Sequence, residues 1–261
     1  MQTIGESKRF ELWRESSSNP LSGEELGQAA DQIVSILTDT GYAHVRGNTT
    51  MEWCEEVSAR VGVVAGKSDV IFDPDRDAAQ RKTRSFKPDR PSVYLGGELG
   101  LHTDNPYWNV LGWYCVEQDP SAGANILIDT SDISTHFSSD ELERLCSTDL
   151  WLPVRDASGK EAAVPVPVLT KAGQGYDIYW ASWLKLDSYE EAQRTTLDRL
   201  GEWLLHKQET GAIEIRLRPG ECLFVNNNRM LHGRQPLSEK SRRHLVRLSI
   251  RSSRVGAPKL C

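Results

Sequence analysis

Apolar residues recur at helical spacing from Glu24 to Thr40, where Leu26, Ala29, Ile33, Ile36 and Leu37 fall near one face and Gly41 follows as a stop. Tyr42 to Val45 then reads as a strand, and a second helical stretch runs from about Met51 to Val61. His44 has no partner ligand near it in sequence and reads as an ordinary strand histidine. Residues 63–92 are charged and proline-containing, without a period. This predicts a long irregular segment of the kind that works as a lid or substrate loop. From Ser92 onward strand patterns dominate: Val93 to Leu95, Trp108 to Val116, Asn125 to Asp129, Leu152 to Val154, Ala162 to Leu169 and Tyr176 to Trp180. Ile213 to Leu217, Cys222 to Val225 and His244 to Ser252 continue the series. One long helix, Tyr189 to Lys207, interrupts them with Ala192, Leu197, Leu200, Trp203 and Leu204 at core-like spacing.

Short strands separated by turn residues predict a mainly β fold with flanking helices, a double-stranded β-helix (jelly-roll, cupin-like) core. The expected organisation is one domain over 1–261. It has a helical and strand part at 1–62, the irregular segment at 63–92, and a core at 93–252 with its helical insertion near 189–207. Trp113, Trp151, Trp180 and Trp203 read as core.

Composition narrows the class. A chain with 26% charged residues and no apolar run beyond a few residues, such as Ile126 to Ile128, offers no membrane span. Met1 to Arg14 is polar and lacks the apolar core of a signal peptide. Cys54, Cys115, Cys146, Cys222 and Cys261 are odd in number and never form Cys-x-x-Cys, which fits a reduced, cytoplasmic setting. A net charge of −6 without a long basic run argues against nucleic acid and leaves a small molecule as the partner; a homo-oligomer stays open.

Candidate chemistry centres on His102-Thr103-Asp104, with His232 130 residues later in Leu231-His232-Gly233-Arg234. In an extended segment residues i and i+2 point the same way, so His102 and Asp104 can reach one metal while Thr103 faces away. Two imidazoles and a carboxylate suit the open-faced Fe(II) site that leaves positions for a co-substrate and oxygen, and the absence of thiolate ligands disfavours structural zinc. The His-x-Asp spacing alone is common.

The wider context is specific. Leu99 to Tyr107, the strand Gly220 to Val225 leading into Asn228 to Arg234, and Arg243-His244-Leu245 resemble the gamma-butyrobetaine hydroxylase and taurine dioxygenase family of Fe(II)/2-oxoglutarate oxygenases, in its order and spacing. The resemblance spans roughly Tyr94 to Arg251. It implies His102, Asp104 and His232 as iron ligands and no catalytic residue beyond the iron centre. It further implies Arg243 as the guanidinium that pairs with the distal carboxylate of 2-oxoglutarate. Asn125 stands where the family carries Thr or Ser, and its amide can still donate to the co-substrate. Fe(II), 2-oxoglutarate and O2 are thereby the implied cofactor set, with succinate and CO2 as co-products. Related halogenases carry Gly or Ala at the Asp104 position, so hydroxylation is the implied outcome, with desaturation, cyclisation or C–C cleavage as the alternatives.

Departures from the family bear on substrate. Tyr94 matches one wall of the trimethylammonium cage of betaine hydroxylases, yet Ser249 stands where those enzymes carry Tyr. Arg247 falls where the taurine branch carries an arginine for the sulfonate, and strand alternation puts Arg243, Arg247 and Arg251 on one face. An anionic or zwitterionic, amine- or amino-acid-like substrate follows, unless Arg247 instead orders 2-oxoglutarate or a neighbouring acid. Asn105, Tyr107 and Trp108 are further candidate substrate contacts. A non-catalytic jelly-roll binding protein and a zinc hydrolase using the same three ligands are the readings from other classes.

Overall fold

A computed structural model describes residues 11–14, 22–72, 74–75, 95–155, 161–183 and 188–256. Helix α1 (Gly23–Thr40) begins at a capping box in which Ser22 accepts from the Glu25 N–H and the Glu25 side chain accepts from the Ser22 N–H. It ends at Gly41, whose φ of 84° is the left-handed conformation that glycine adopts without Cβ strain. Strand β2 (Tyr42–Gly47) follows at once, then α2 (Met51–Val61), started by the Thr50 hydroxyl accepting from Trp53 N–H.

The first part of the expected irregular segment is instead a strand, β3 (Val63–Ile71), while 76–92 lies outside the described residues. Its sequence, Val-Val-Ala-Gly-Lys-Ser-Asp-Val-Ile, carries no apolar alternation because it is a sheet edge with only Val70 buried. Pairing along the whole of β14 (His244–Arg251), not local propensity, makes it a strand.

The remaining strands are β1 (Glu11–Arg14), β4 (Leu99–His102), β5 (Val110–Glu117), β6 (Asn125–Asp129), β7 (Asp149–Arg155), β8 (Glu161–Pro167), β9 (Leu169–Ala172), β10 (Gly175–Ile178), β11 (Ile213–Ile215), β12 (Cys222–Asn226) and β13 (Met230–Arg234). Helices α3 (Ile133–His136), α4 (Ser139–Cys146) and α5 (Glu191–Gly211) lie between them. They form a six-stranded sheet, β1-β2-β12-β5-β14-β3, a four-stranded sheet, β11-β6-β13-β4, and two hairpins, β7-β8 and β9-β10.

Leu111, Trp113, Leu127, Leu223, Met230 and Leu245 pack between the two sheets. The outer face of the larger sheet meets α1 and α2 through Val45, Phe224 and Leu248 against Ile33, Leu37 and Val57. The outer face of the smaller sheet, with Leu101, Ile128 and Leu231, is covered by α4, α5 and the hairpins. These layers are the jelly-roll expected from the strand pattern. Trp151 departs from its expected core place: it is 58% exposed on β7.

One buttress ties the first helix to the strands around the cavity. Arg229 clamps Asp129 through Nε and Nη2 at 2.8 and 2.6 Å, and its Nη1 donates to the Thr38 and Asp39 carbonyls at the end of α1. R229A leaves Asp129 and those carbonyls without the cation. Urea unfolding is expected to show a loss of about 1.5–3 kcal/mol.

Candidate metal centre

β4 and β13 are antiparallel neighbours, with His102 directly opposite His232. A bulge in β4, where His232 and Arg234 oppose His102 and Leu99, lets both Leu99 and His102 face inward although they are three residues apart. The close approach needs Gly233, since a Cβ there would lie 2.6 Å from the Leu99 carbonyl oxygen. After His102 the chain leaves the strand: Thr103 turns away onto Trp180, donating from its N–H and accepting the Trp180 N–H at its hydroxyl. Asp104 returns inward as the spacing predicts, its N–H donating to the Asn227 carboxamide at 2.8 Å. Asn227, buried, also donates to the Trp108 carbonyl and so fixes the turn that carries Asp104.

One ligand atom from each of His102, Asp104 and His232 lies within 4.8 Å of the others. Asp104 Oδ1 is 3.7 Å from His102 Nε2 and 3.8 Å from His232 Nε2. His102 Nδ1 is 2.8 Å from the Gly100 carbonyl oxygen, which can only accept, so Nδ1 carries the proton and Nε2 presents its lone pair to the cavity. Burial first, and then the facing His232, push His102 down to about 4, which keeps it neutral and ready to ligate at neutral pH. Burial acts to raise Asp104, but His232, Arg247 and His102 together outweigh it and hold the carboxyl well below the usual range. Two imidazoles and an ionised carboxylate are a donor set for a divalent ion.

The surrounding cavity, about 40 Å³, has Leu99, Leu127, Leu223 and Leu245 in its lining. Arg243 enters it just before β14, buried, and burial followed by repulsion from Arg234 pushes its guanidinium down to about 9. Its Nη2 donates to Asn125 Oδ1 at 2.9 Å, while its Nε has no hydrogen-bond partner among the described residues. Asn125 Nδ2 donates one N–H to the Ile215 carbonyl, so the side chain is anchored there and orients Arg243 through its oxygen. Arg247 lines the same cavity and donates from Nη1 to Asp104 Oδ2 at 2.8 Å. The structure therefore places this arginine on a neighbouring acid.

A loop staple joins the segment after β5 to the segment before β14. Asp119 accepts the Ser121 and Ala122 N–H groups at one oxygen, and the Ser238 N–H and hydroxyl at the other. Burial opposes ionisation here, but these bonds outweigh it and lower the Asp119 pKa. A depressed carboxylate contributes its stability above the unfolded value, about 3.9, and loses it as pH falls through the lower folded value. D119N is thus expected to be less stable than wild type by about 1–3 kcal/mol at pH 7. The gap closes as denaturant titrations are repeated into acid.

Other candidate contacts separate. Tyr94 lies outside the described residues. Asn105 spends its side-chain oxygen on the Tyr107 N–H, Tyr107 packs on the core beneath the smaller sheet, and Trp108 packs on the core between the sheets. Arg251 stands exposed at the rim, its guanidinium 5.6 Å from the Trp108 ring centre. Two tryptophans are closer: Trp113 lines the cavity 5.3 Å from the His232 ring, and Trp183 stands 5.0 Å from the His102 ring. Trp113 could have been found by continuing the inward alternation of β5 from Leu111. Asn227 and Trp183 had no periodic signal.

A jelly-roll with two histidines and one carboxylate at its open mouth defines the class of non-haem iron oxygenases. Residues 16–249 match the taurine catabolism dioxygenase TauD, TfdA family, and the chain belongs to that family. It is an oxidoreductase, an Fe(II)- and 2-oxoglutarate-dependent oxygenase that uses O2. It is 25% identical to uridine-5'-phosphate dioxygenase from a Streptomyces species over 208 residues, 72% of each chain. Among solved structures it resembles asparagine oxygenase in complex with Fe(II), 2S,3S-3-hydroxyasparagine and succinate at 17% identity, covering 87% of this chain and 79% of that one, TM-score 0.65. OrfP with Fe and alpha-ketoglutaric acid is similar at 15% identity over 87% and 79%, TM-score 0.62. PvcB from Pseudomonas aeruginosa is similar at 17% identity over 96% and 88%, TM-score 0.60. At these identities the structures bear on the fold. No helix among the described residues is long and apolar enough to cross a membrane.

Proposed function

We propose that this chain hydroxylates a C–H bond of a small anionic or zwitterionic molecule, amino-acid-like in size, using His102, Asp104 and His232 to hold Fe(II). Arg243 holds the far carboxylate of 2-oxoglutarate. The observation that carries this reading is the convergence in one cavity of the three ligand atoms and a buried arginine whose Nε lacks a partner. When bound, iron and 2-oxoglutarate together reduce O2, giving succinate and CO2 and supplying the oxidant for the C–H bond.

The protein's own part is ligation, orientation and exclusion of water. Gly100 fixes the His102 tautomer, and Asn227 fixes the Asp104 turn. Asn125 aims Arg243, and Leu99, Leu127, Leu223 and Leu245 supply apolar lining to the same cavity. Arg247 lines the same space with Nη1 on Asp104 Oδ2, and its other guanidinium N–H groups are the donors that an anionic substrate end would use.

Amino acids are the first class to test, because hydroxyasparagine occupies the asparagine oxygenase and (3S)-hydroxy-L-Arg occupies OrfP. Nucleoside monophosphates are the second, because uridine-5'-phosphate dioxygenase is a relative and a phosphate also suits Arg247. We read the chain as one domain working in the cytoplasm, where Fe(II) and free thiols persist. Anaerobic loading with Fe(II) and 2-oxoglutarate, then exposure to O2 with each panel, should yield succinate with a product heavier by one oxygen. Product lighter by two hydrogens, or fragmented, would assign the other outcomes. Metal-dependent turnover that needs neither O2 nor 2-oxoglutarate would overturn the reading.

A further inference from the structure

Of the arginine–carboxylate pairs among the described residues, those of Arg229 and Arg247 are built in different ways. In the Arg229 pair both oxygens of Asp129 are taken, one by Nε and the other by Nη2. Among the described residues the Arg247 pair is instead a single bond, Nη1 to Oδ2 of Asp104, and Arg247 Nε has no hydrogen-bond partner. The other oxygen, Oδ1, is the one that faces both imidazole Nε2 atoms.

We infer that Arg247 is a positioning residue that keeps Asp104 a one-oxygen metal ligand, and so preserves the open metal positions that a chelating 2-oxo acid needs. This rests on the metal-site reading above. A carboxylate with both oxygens free can close on a divalent ion with both, and each position it fills is lost to the co-substrate. A guanidinium bond at 2.8 Å, between an arginine side chain 29% exposed and a carboxylate 16% exposed, withdraws Oδ2 from that competition without neutralising Oδ1. Neighbouring contacts hold the arrangement from both sides. The Asp104 backbone is fixed by Asn227, and Arg247 sits on β14 between the paired strands β3 and β5. Arg247 thus acts on the coordination of the metal through Asp104 without itself touching the metal.

R247M tests this in the full chain, with R247K keeping a cation able to reach Oδ2. Fe(II) binding is measured anaerobically by calorimetry. Chelation by 2-oxoglutarate is measured from the visible metal-to-ligand charge-transfer band, titrated to saturation. For R247M we expect Fe(II) affinity equal to or tighter than wild type, 2-oxoglutarate affinity lower by roughly ten- to a hundred-fold, and a saturating band that is lost or displaced. R247K should restore the band. A weaker 2-oxoglutarate affinity with an unchanged saturating band would overturn the inference, because loss of charge alone explains that result. An unchanged affinity and band in R247M would also overturn it. Wild-type protein that forms no band at all would defeat the metal-site reading itself, an outcome distinct from either.

Discussion

H232A is expected to fold, to bind Fe(II) more than about a hundred-fold more weakly than wild type, and to produce no succinate above background. Groups that merely orient a ligand cost roughly ten- to a hundred-fold when removed, so deleting a ligand should exceed that range. His232 is buried on the inner face of β13, opposite His102, and its Nδ1 has no hydrogen-bond partner among the described residues. Its removal therefore strands no buried donor elsewhere in the network. What it takes away is one of the two imidazoles flanking Asp104 Oδ1, leaving a two-ligand site. Circular dichroism separates loss of fold from loss of metal, and calorimetry with Fe(II) measures the second. Wild-type iron content and turnover in H232A would remove the metal centre from this cavity.

R243M should bind 2-oxoglutarate more weakly by about 2–5 kcal/mol, the usual cost of removing one partner of a buried charged pair. The protein without co-substrate should lose little stability, because relief of the guanidinium's burial offsets the Asn125 oxygen left unpaired. A buried guanidinium that burial has already pushed down to about 9 contributes little until an anion reaches it. Thermal unfolding makes the contrast visible. At a hundred-fold excess over its dissociation constant 2-oxoglutarate adds about 2.7 kcal/mol to a protein that binds it, and R243M should lose most of that gain. Equal protection of R243M and wild type would mean that the co-substrate carboxylate is held elsewhere.

The sequence shows these elements unevenly, for physical reasons. Helix α2 and strand β6 were legible to the residue, because an apolar face and clear stops coincide in each. β3 was not, since its strand state is imposed by β14 across a polar edge. Helix α4 was missed although Ser138 and Glu141 form a capping box, a local signal that was there to read. At the site, His102, Asp104, His232 and Arg243 were legible because motif and spacing carry them. Of the partners that aim them, Arg247 on a neighbouring acid was one of the open alternatives, but Asn125 on Arg243 and Asn227 on Asp104 were not legible, since they meet across 118 and 123 residues of chain. Contacts of that length have no periodicity to detect.

The bulged pairing of β4 with β13 makes the metal centre part of how the edge of the smaller sheet is held. β4 has four residues, lies at that edge, and on its other side, among the described residues, makes the isolated bridge from His102 to Ala181. A cation shared between His102 and His232 is a clasp across one rung of this short ladder, closing a long loop much as a covalent staple would. Fraying of β4 and release of the ion are then a single coupled equilibrium. Anything that stiffens this edge, such as a substrate lodged between Trp183 and the cavity mouth, tightens the hold on the ion by the same factor by which the ion tightens the hold on substrate.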